Sequence, residues 1–207
     1  MVYPANGVHA WTFSCFLKTI IEDMYQPENK RVIDGHVIAK ESGPNLDVNR
    51  NYIVAKFLDT MPDVDWLLFL DSDEKWEPQD LYDFIRRADP EKTPVVSGLY
   101  KRIDYAVNPP VTQYAYWHLS GEAMDPKETE QDDYYQIGAV PAGALLMHRT
   151  ALEKVRNLLG DVWFTADQGG GMREDMAFCD RLAHLKIPVH VDPRFRVSHI
   201  KYVAIPG

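Results

Sequence analysis

The chain has 207 residues, 45% hydrophobic and 12% aromatic, with a formal net charge of -9. That length supports one domain with a core of its own, and the composition is that of a globular protein rather than a disordered one. The acidic balance argues against nonspecific gripping of nucleic-acid phosphates, which needs a Lys/Arg surplus, but it allows an anionic ligand held through a metal ion.

Residues 1–5 predict a short first strand, broken at Pro4. The stretch MVYPANGVHAWTF has neither a basic n-region nor a long apolar h-region, so no signal peptide is expected. No apolar run approaches membrane-spanning length. From Val8 to Tyr25 the positions Ala10, Phe13, Cys15, Phe16, Leu17, Ile20, Ile21 and Met24 recur at helical spacing. Cys15 there and Cys179 later sit in apolar helical patterns and read as buried free thiols, which gives no support to a disulfide framework or zinc site and predicts a reducing, cytoplasmic setting.

Arg31 to Lys40 alternates and is rich in β-branched residues, the pattern of a strand. ESGPNLD is a loop, and Val48 to Thr60 reads as a helix. WLLFL (Trp66 to Leu70) is apolar on both faces, which predicts a place in the middle of a largely parallel sheet covered by helices. Pro78 suits the first turn of a helix running to about Arg87. Pro94 to Tyr100 is another short strand. Lys101 to Gln136 is acidic and aromatic with no sustained period, a lid, a binding loop or a mobile insertion.

Ala139 to Arg149 returns to strand character, with Thr150 capping a helix into Leu159. DQGGGM (Asp167 to Met172) is a glycine-rich loop, followed by a helix from about Arg173 to Lys186. IPVHVD and RFRVSH close the chain as two short strands. This alternation predicts an α/β layered domain.

WLLFL stops at Asp71, Ser72 and Asp73. In open α/β sheets ligands bind at the carboxyl ends of strands. Two carboxylates one residue apart in a tight turn suit a hard divalent ion such as Mg²⁺ or Mn²⁺; a solvated acidic turn before the next helix is the bland alternative. Further on, GGGMREDMAFCDRL sets Glu174 and Asp175 at a helix N-terminus, where the dipole favours anions and a general base could serve a hydroxyl.

LLFLDSD, a Trp-x-Pro helix start, the Glu174–Asp175 pair and the later VSHIKY occur in an order that resembles the nucleotide-sugar-dependent glycosyltransferases of GT-A fold, in a small stand-alone form. The resemblance runs from about Asn45 to Lys201. It implies a Rossmann-type three-layer domain with a mostly parallel central sheet. Residues 1–100 would form the nucleotide- and metal-binding half, 101–136 a variable loop, and 137–207 the acceptor and catalytic half.

It further implies that Asp73 binds Mn²⁺ or Mg²⁺, that Asp71 assists it or holds the donor's ribose, and that His199 is a further metal ligand. Ser72 belongs to the same donor-binding turn. Asp175 or Glu174 would be the catalytic base of an inverting transfer. Arg50, beside Asn51 at a helix start, would contact base or phosphate, and Pro4, Ala5 and Asn6 would border the nucleobase. Gly143 would let backbone approach the donor sugar. Histidines His118, His148, His184 and His190 keep structural roles.

The partner so implied is a nucleoside-diphosphate sugar, with a protein, glycan, small molecule or modified nucleobase as acceptor and no membrane. Small members also occur in bacteriophages. Two rival readings use the same residues: a metal-dependent phosphohydrolase or nucleotidyltransferase, and a non-catalytic sugar- or partner-binding module of the same fold. Within the acidic cluster, Glu74 is expected to flank the site and point elsewhere.

Overall fold

A computed structural model of the chain describes residues 2–4, 7–33, 35–42, 45–104, 111–130, 133–166 and 173–200. Strand β1 (Val2–Pro4) leads to helix α1 (Ala10–Tyr25) and then to β2 (Lys40–Ser42), which lies parallel to β1. Helix α2 (Leu46–Thr60) precedes β3 (Trp66–Leu70), the two-residue β4 (Glu74–Lys75) and α3 (Pro78–Arg87). Next come β5 (Val95–Leu99), a hairpin of β6 (Lys101–Asp104) and β7 (Val111–Tyr114), β8 (Tyr135–Ile137), β9 (Ala144–His148) and α4 (Arg149–Leu159). Helix α5 (Glu174–His184), β10 (Val189–Arg196) and β11 (Ser198–His199) complete the described chain.

The central sheet has the order β3-β9-β5-β10-β8. Its side chains alternate as a strand requires. Leu67 and Phe69 of β3, Leu145 and Met147 of β9, and Val189 and Val191 of β10 join Ile53, Phe57, Leu152, Phe178 and Leu182 from α2, α4 and α5. On the other face Leu70, Leu146, Val96 and Phe195 pack with Cys15 of α1 and Leu81 and Phe84 of α3. Three layers result, with helices on both faces. Both cysteines are buried free thiols. Among the described residues no helix is long and apolar enough to cross a membrane.

Strands β3, β5 and β10 run in one direction, with β9 antiparallel between β3 and β5. Three of the five strands therefore share one direction and β8 and β9 run the other way, so neighbouring strands within the sheet pair in parallel only at β5 and β10. WLLFL is not in the middle. Among the described residues its sheet neighbour is β9 alone, so it lies at the edge of this sheet. An apolar run reports that both faces are covered, not how many neighbours its edges have.

Arg31 to Lys40 is not a strand; only Lys40–Ser42 is. Gly35 turns the backbone to positive φ, and Asp23 Oδ1 accepts from the Val32 amide at 2.9 Å, which gives that amide a partner outside any strand ladder. The 101–136 stretch is not irregular throughout, since it holds the β6–β7 hairpin, a 3-10 segment at Pro126–Glu130 and part of β8. Its Tyr116 is fully buried and its hydroxyl donates to Gly98 O at 2.6 Å, anchoring it to β5.

The cap of α4 is His148, whose side chain accepts from the Thr150 amide, rather than Thr150 itself. IPVHVD and the first half of RFRVSH form one strand, β10, with a register irregularity between Asp192 and Arg196, and the end of RFRVSH is β11. Pro193 sits there, where its missing N–H costs the ladder nothing.

Candidate active site

The carboxyl ends of β3, β5 and β10 open at one end of the sheet, where chain turns meet. Four residues after β3 are held by separate elements. Asp71 N donates to Gly143 O at 2.8 Å, His9 N donates to Ser72 O at 2.9 Å, and Ile200 N donates to Asp73 O at 2.8 Å. Thr12 Oγ1 donates to Glu74 O at 2.6 Å. The loop before α1, the first turn of α1, the approach to β9 and the chain after β11 thus fix the DSD turn together. Ser72 is buried and serves this scaffold through its carbonyl.

His199 arrives because β11 pairs antiparallel with β4, setting His199 opposite Glu74. Its Nε2 lies 3.1 Å from Asp73 Oδ2, and its Nδ1 is buried with no hydrogen-bond partner among the described residues. Among the described residues no group of three or more His, Cys, Asp or Glu side chains could hold a metal ion. The pair still suits one. Two ligands at right angles and about 2.1 Å from a single ion lie about 3 Å apart, the separation these atoms have. Magnesium-type sites commonly use one or two protein ligands and complete their shell with water and substrate phosphate.

Glu74 points into the cluster rather than away from it. It is 1% exposed, with Oε2 3.4 Å from the Asp71 amide. Burial above all, then the charges of Asp71 and Asp73, push its carboxyl well above the usual carboxylate range. Gly143 has its reason here: a Cβ would overlap Glu74 Oε1 and come within 3.0 Å of Tyr100 Oη and 3.1 Å of Asp71 Oδ2. The glycine makes room for the protein's own polar groups. Tyr100, just past β5, presents its ring edge-on to His199 with centroids 5.7 Å apart. Desolvation, with Glu74 beside it, pushes its hydroxyl pKa up, so the group stays protonated.

Arg50 joins this turn to the second acidic pair. It is 4% exposed, with Nη1 2.6 Å from Glu174 Oε1 and Nη2 3.5 Å from Asp71 Oδ1. Its guanidinium also lies over the Phe164 ring at 5.7 Å. The guanidinium expected to contact base or phosphate is thus turned inward, toward Glu174 and Asp71. Asn51 beside it accepts from the Phe164 amide at 2.7 Å and donates to Thr165 Oγ1 at 2.8 Å. This fixes the chain ahead of the stretch that leads to α5.

At the start of α5 the two acids divide. Glu174 is held by Arg50; Asp175 accepts from the Met176 amide at 2.8 Å. Burial, with the charge of Glu174 alongside, raises the Asp175 carboxyl above its ordinary value. Pro4 ends β1, whereas Ala5, Asn6, Lys201 and the DQGGGM loop lie outside the described residues. The other histidines have local surroundings: His118 bonds Glu128 at 3.0 Å, His148 caps α4, and His184 faces Asp180 one turn back. His190 lies against the ring of Tyr134.

Sequence reasoning missed Glu74 and Tyr100. Tyr100 could have been noticed as the residue following a buried strand whose end faces the same way as β3. Glu74 carried no local sign of its direction.

Among solved structures, A197 from STIV is similar at 16% identity, covering 97% of this chain and 84% of that one, with a TM-score of 0.58. A structure of GalNAc-T7 with UDP, GalNAc and Mn²⁺ is similar at 13% identity and a TM-score of 0.52, over 98% of this chain and 38% of that one. These likenesses concern the fold. A search of curated protein sequences finds no match. The family model for glycosyl transferase family 2 matches residues 18–156, a span that holds Arg50, the DSD turn, Tyr100 and Gly143 but ends before α5 and His199. With more than half of its length matched, and with a GT-A-like architecture, the chain belongs to glycosyl transferase family 2.

Proposed function

We propose that the chain transfers a sugar from a nucleoside-diphosphate sugar to an acceptor hydroxyl with inversion at the anomeric carbon. The observation that carries this reading is Arg50, one buried guanidinium within reach of both Asp71 and Glu174. It ties the metal-type turn and the base-type helix start into a single site.

Asp73 and His199 would hold Mn²⁺ or Mg²⁺; their 3.1 Å approach and the UDP- and Mn²⁺-bound structural neighbour support this. A divalent ion there supplies neutralisation of charge developing on the leaving diphosphate. Asp71, carrying a backbone bond to Gly143 and a contact to Arg50, orients the donor. Asp175 accepts the proton of the acceptor hydroxyl. Its carboxylate is not taken up by Arg50, and a raised pKa makes it a better base than an ordinary aspartate. Glu174 instead holds Arg50 in place.

The test incubates the protein with UDP-, GDP- and TDP-sugars, with and without Mn²⁺, following donor binding by thermal shift and turnover by released nucleotide. Metal-dependent binding of a sugar nucleotide that Asp73→Asn abolishes is the expected result. Release of phosphate from nucleoside triphosphates with no preference for sugar nucleotides would replace the reading with a phosphohydrolase. Retention of configuration in the product, read by NMR, would remove Asp175 from the role of base.

A further inference from the structure

Helix α1 is built inside out. Its buried residues are Thr12, Cys15, Thr19 and Asp23, which at about 100° per residue fall on one face. The polar ones are satisfied there: Thr12 bonds Glu74 O, Thr19 accepts from Trp76 Nε1 at 3.0 Å, and Asp23 accepts from the Val32 amide. Phe13, Leu17, Ile21 and Met24 lie on nearly the opposite face. Together with Trp11 and Tyr25 they are 42% to 85% exposed. A helix of a lone globular protein turns such a stripe inward. Here the core side carries three polar residues beside Cys15 and Phe16, while the outer side is apolar.

We propose that this face is the interface of a homodimer, with α1 packed antiparallel against α1 of a second copy about a two-fold axis. Two observations select a second copy. The first is size. A stable interface hides roughly 800 Å² per partner, and each aromatic side chain offers about 150–250 Å². Three aromatic and three long aliphatic side chains, each about half exposed or more, reach that order.

The second is charge. Lys18 and Glu22 are exposed, one turn apart on the same flank of the stripe. In an antiparallel pair centred near residue 20, Lys18 of one copy meets Glu22 of the other, twice over, as a self-complementary interface requires. Leu17 of each copy then falls against Ile21 and Met24 of the other. An interfacial membrane helix would instead be rich in Lys and Arg on its polar face. α1 carries Lys18 as its one basic residue, in a chain of net charge -9.

Sedimentation velocity of the full chain across the micromolar range tests the proposal. A concentration-dependent dimer is expected. Leu17→Glu with Ile21→Glu should raise its dissociation constant roughly 100-fold or more. Lys18→Glu should weaken it roughly 3- to 10-fold, and Lys18→Glu with Glu22→Lys should restore it. The charge variants keep the test decisive if the double glutamate variant fails to fold. A wild-type monomer throughout, a dimer indifferent to the double substitution, or sedimentation of a monomer with phosphatidylcholine/phosphatidylglycerol vesicles would each overturn it.

Discussion

The DSD turn and the start of α5 both crowd acidic side chains that are neighbours in sequence, and they relieve the repulsion by different means. In the turn, Glu74 is buried beside Asp71 and Asp73, and its carboxyl is driven toward the neutral form. At α5, Glu174 is paired with Arg50 at 2.6 Å, while Asp175 stays out of that ion pair. The three acids of the turn are eased chiefly by the shift of Glu74 toward its neutral form, with Arg50 3.5 Å from Asp71, and the pair at α5 by the same guanidinium at closer range. In each, one acid is taken up by its neighbours, and on the proposed reading another is left for chemistry.

If that division is right, the largest losses follow removal of the acids left for chemistry. Asp73→Asn should lower metal-dependent turnover about 10³-fold or more, with donor binding weakened in parallel; a turnover assay over a Mn²⁺ titration measures it. Asp175→Asn should lower kcat about 10²- to 10⁴-fold while sparing donor binding. A base must be ionised, so wild-type kcat should fall as pH drops through the raised Asp175 pKa. The variant's residual rate should lose that limb. A pH–rate profile unchanged by the substitution would show that the base lies elsewhere.

What the sequence told in advance was local. WLLFL and its acidic stop are contiguous, so strand, turn and sheet end were readable together. The edge position of β3 depends on β9, some 75 positions on in the pairing of Leu70 with Ala144, and an apolar run does not contain it. The direction of Glu74 is set by the pairing of β4 with β11, and the division between Glu174 and Asp175 by Arg50, 124 positions away. The helical period over Val8 to Tyr25 located α1 but not its face. The residues that made the period visible are largely those that point outward.

The next effects are on stability. Arg50→Met leaves the partly exposed Glu174 and Asp71 without their buried counter-charge, which costs at most the roughly 3–5 kcal/mol of breaking a fully buried pair. For a chain of this length that is a Tm loss of at most roughly 6–20 °C, read by calorimetry. A loss of less than about 1 kcal/mol would mean the guanidinium is not the framework element between the two acidic sites. Gly143→Ala should cost about 1–3 kcal/mol, because the new methyl group collides with Glu74, Tyr100 and Asp71 together. An alanine variant as stable as wild type would mean that the cluster is looser than its contacts imply.

The smallest effect sharpens the contrast most. Glu74→Gln replaces a carboxyl whose pKa is raised with an amide of nearly the same shape, so below that raised value the change should be within about 1 kcal/mol. The two proteins should separate as pH rises. A carboxyl whose folded pKa exceeds its unfolded value binds more protons when folded, so its stabilising share is complete below the ordinary glutamate range. That share is lost as pH climbs through the raised folded value. Wild type should therefore lose stability relative to Glu74→Gln across that window, by at most about 1.4 kcal/mol per pH unit. Denaturant melts at several pH values supply both curves. Parallel curves would mean that Glu74 titrates like an exposed acid, and that a proton does not settle the DSD turn as Arg50 settles the start of α5.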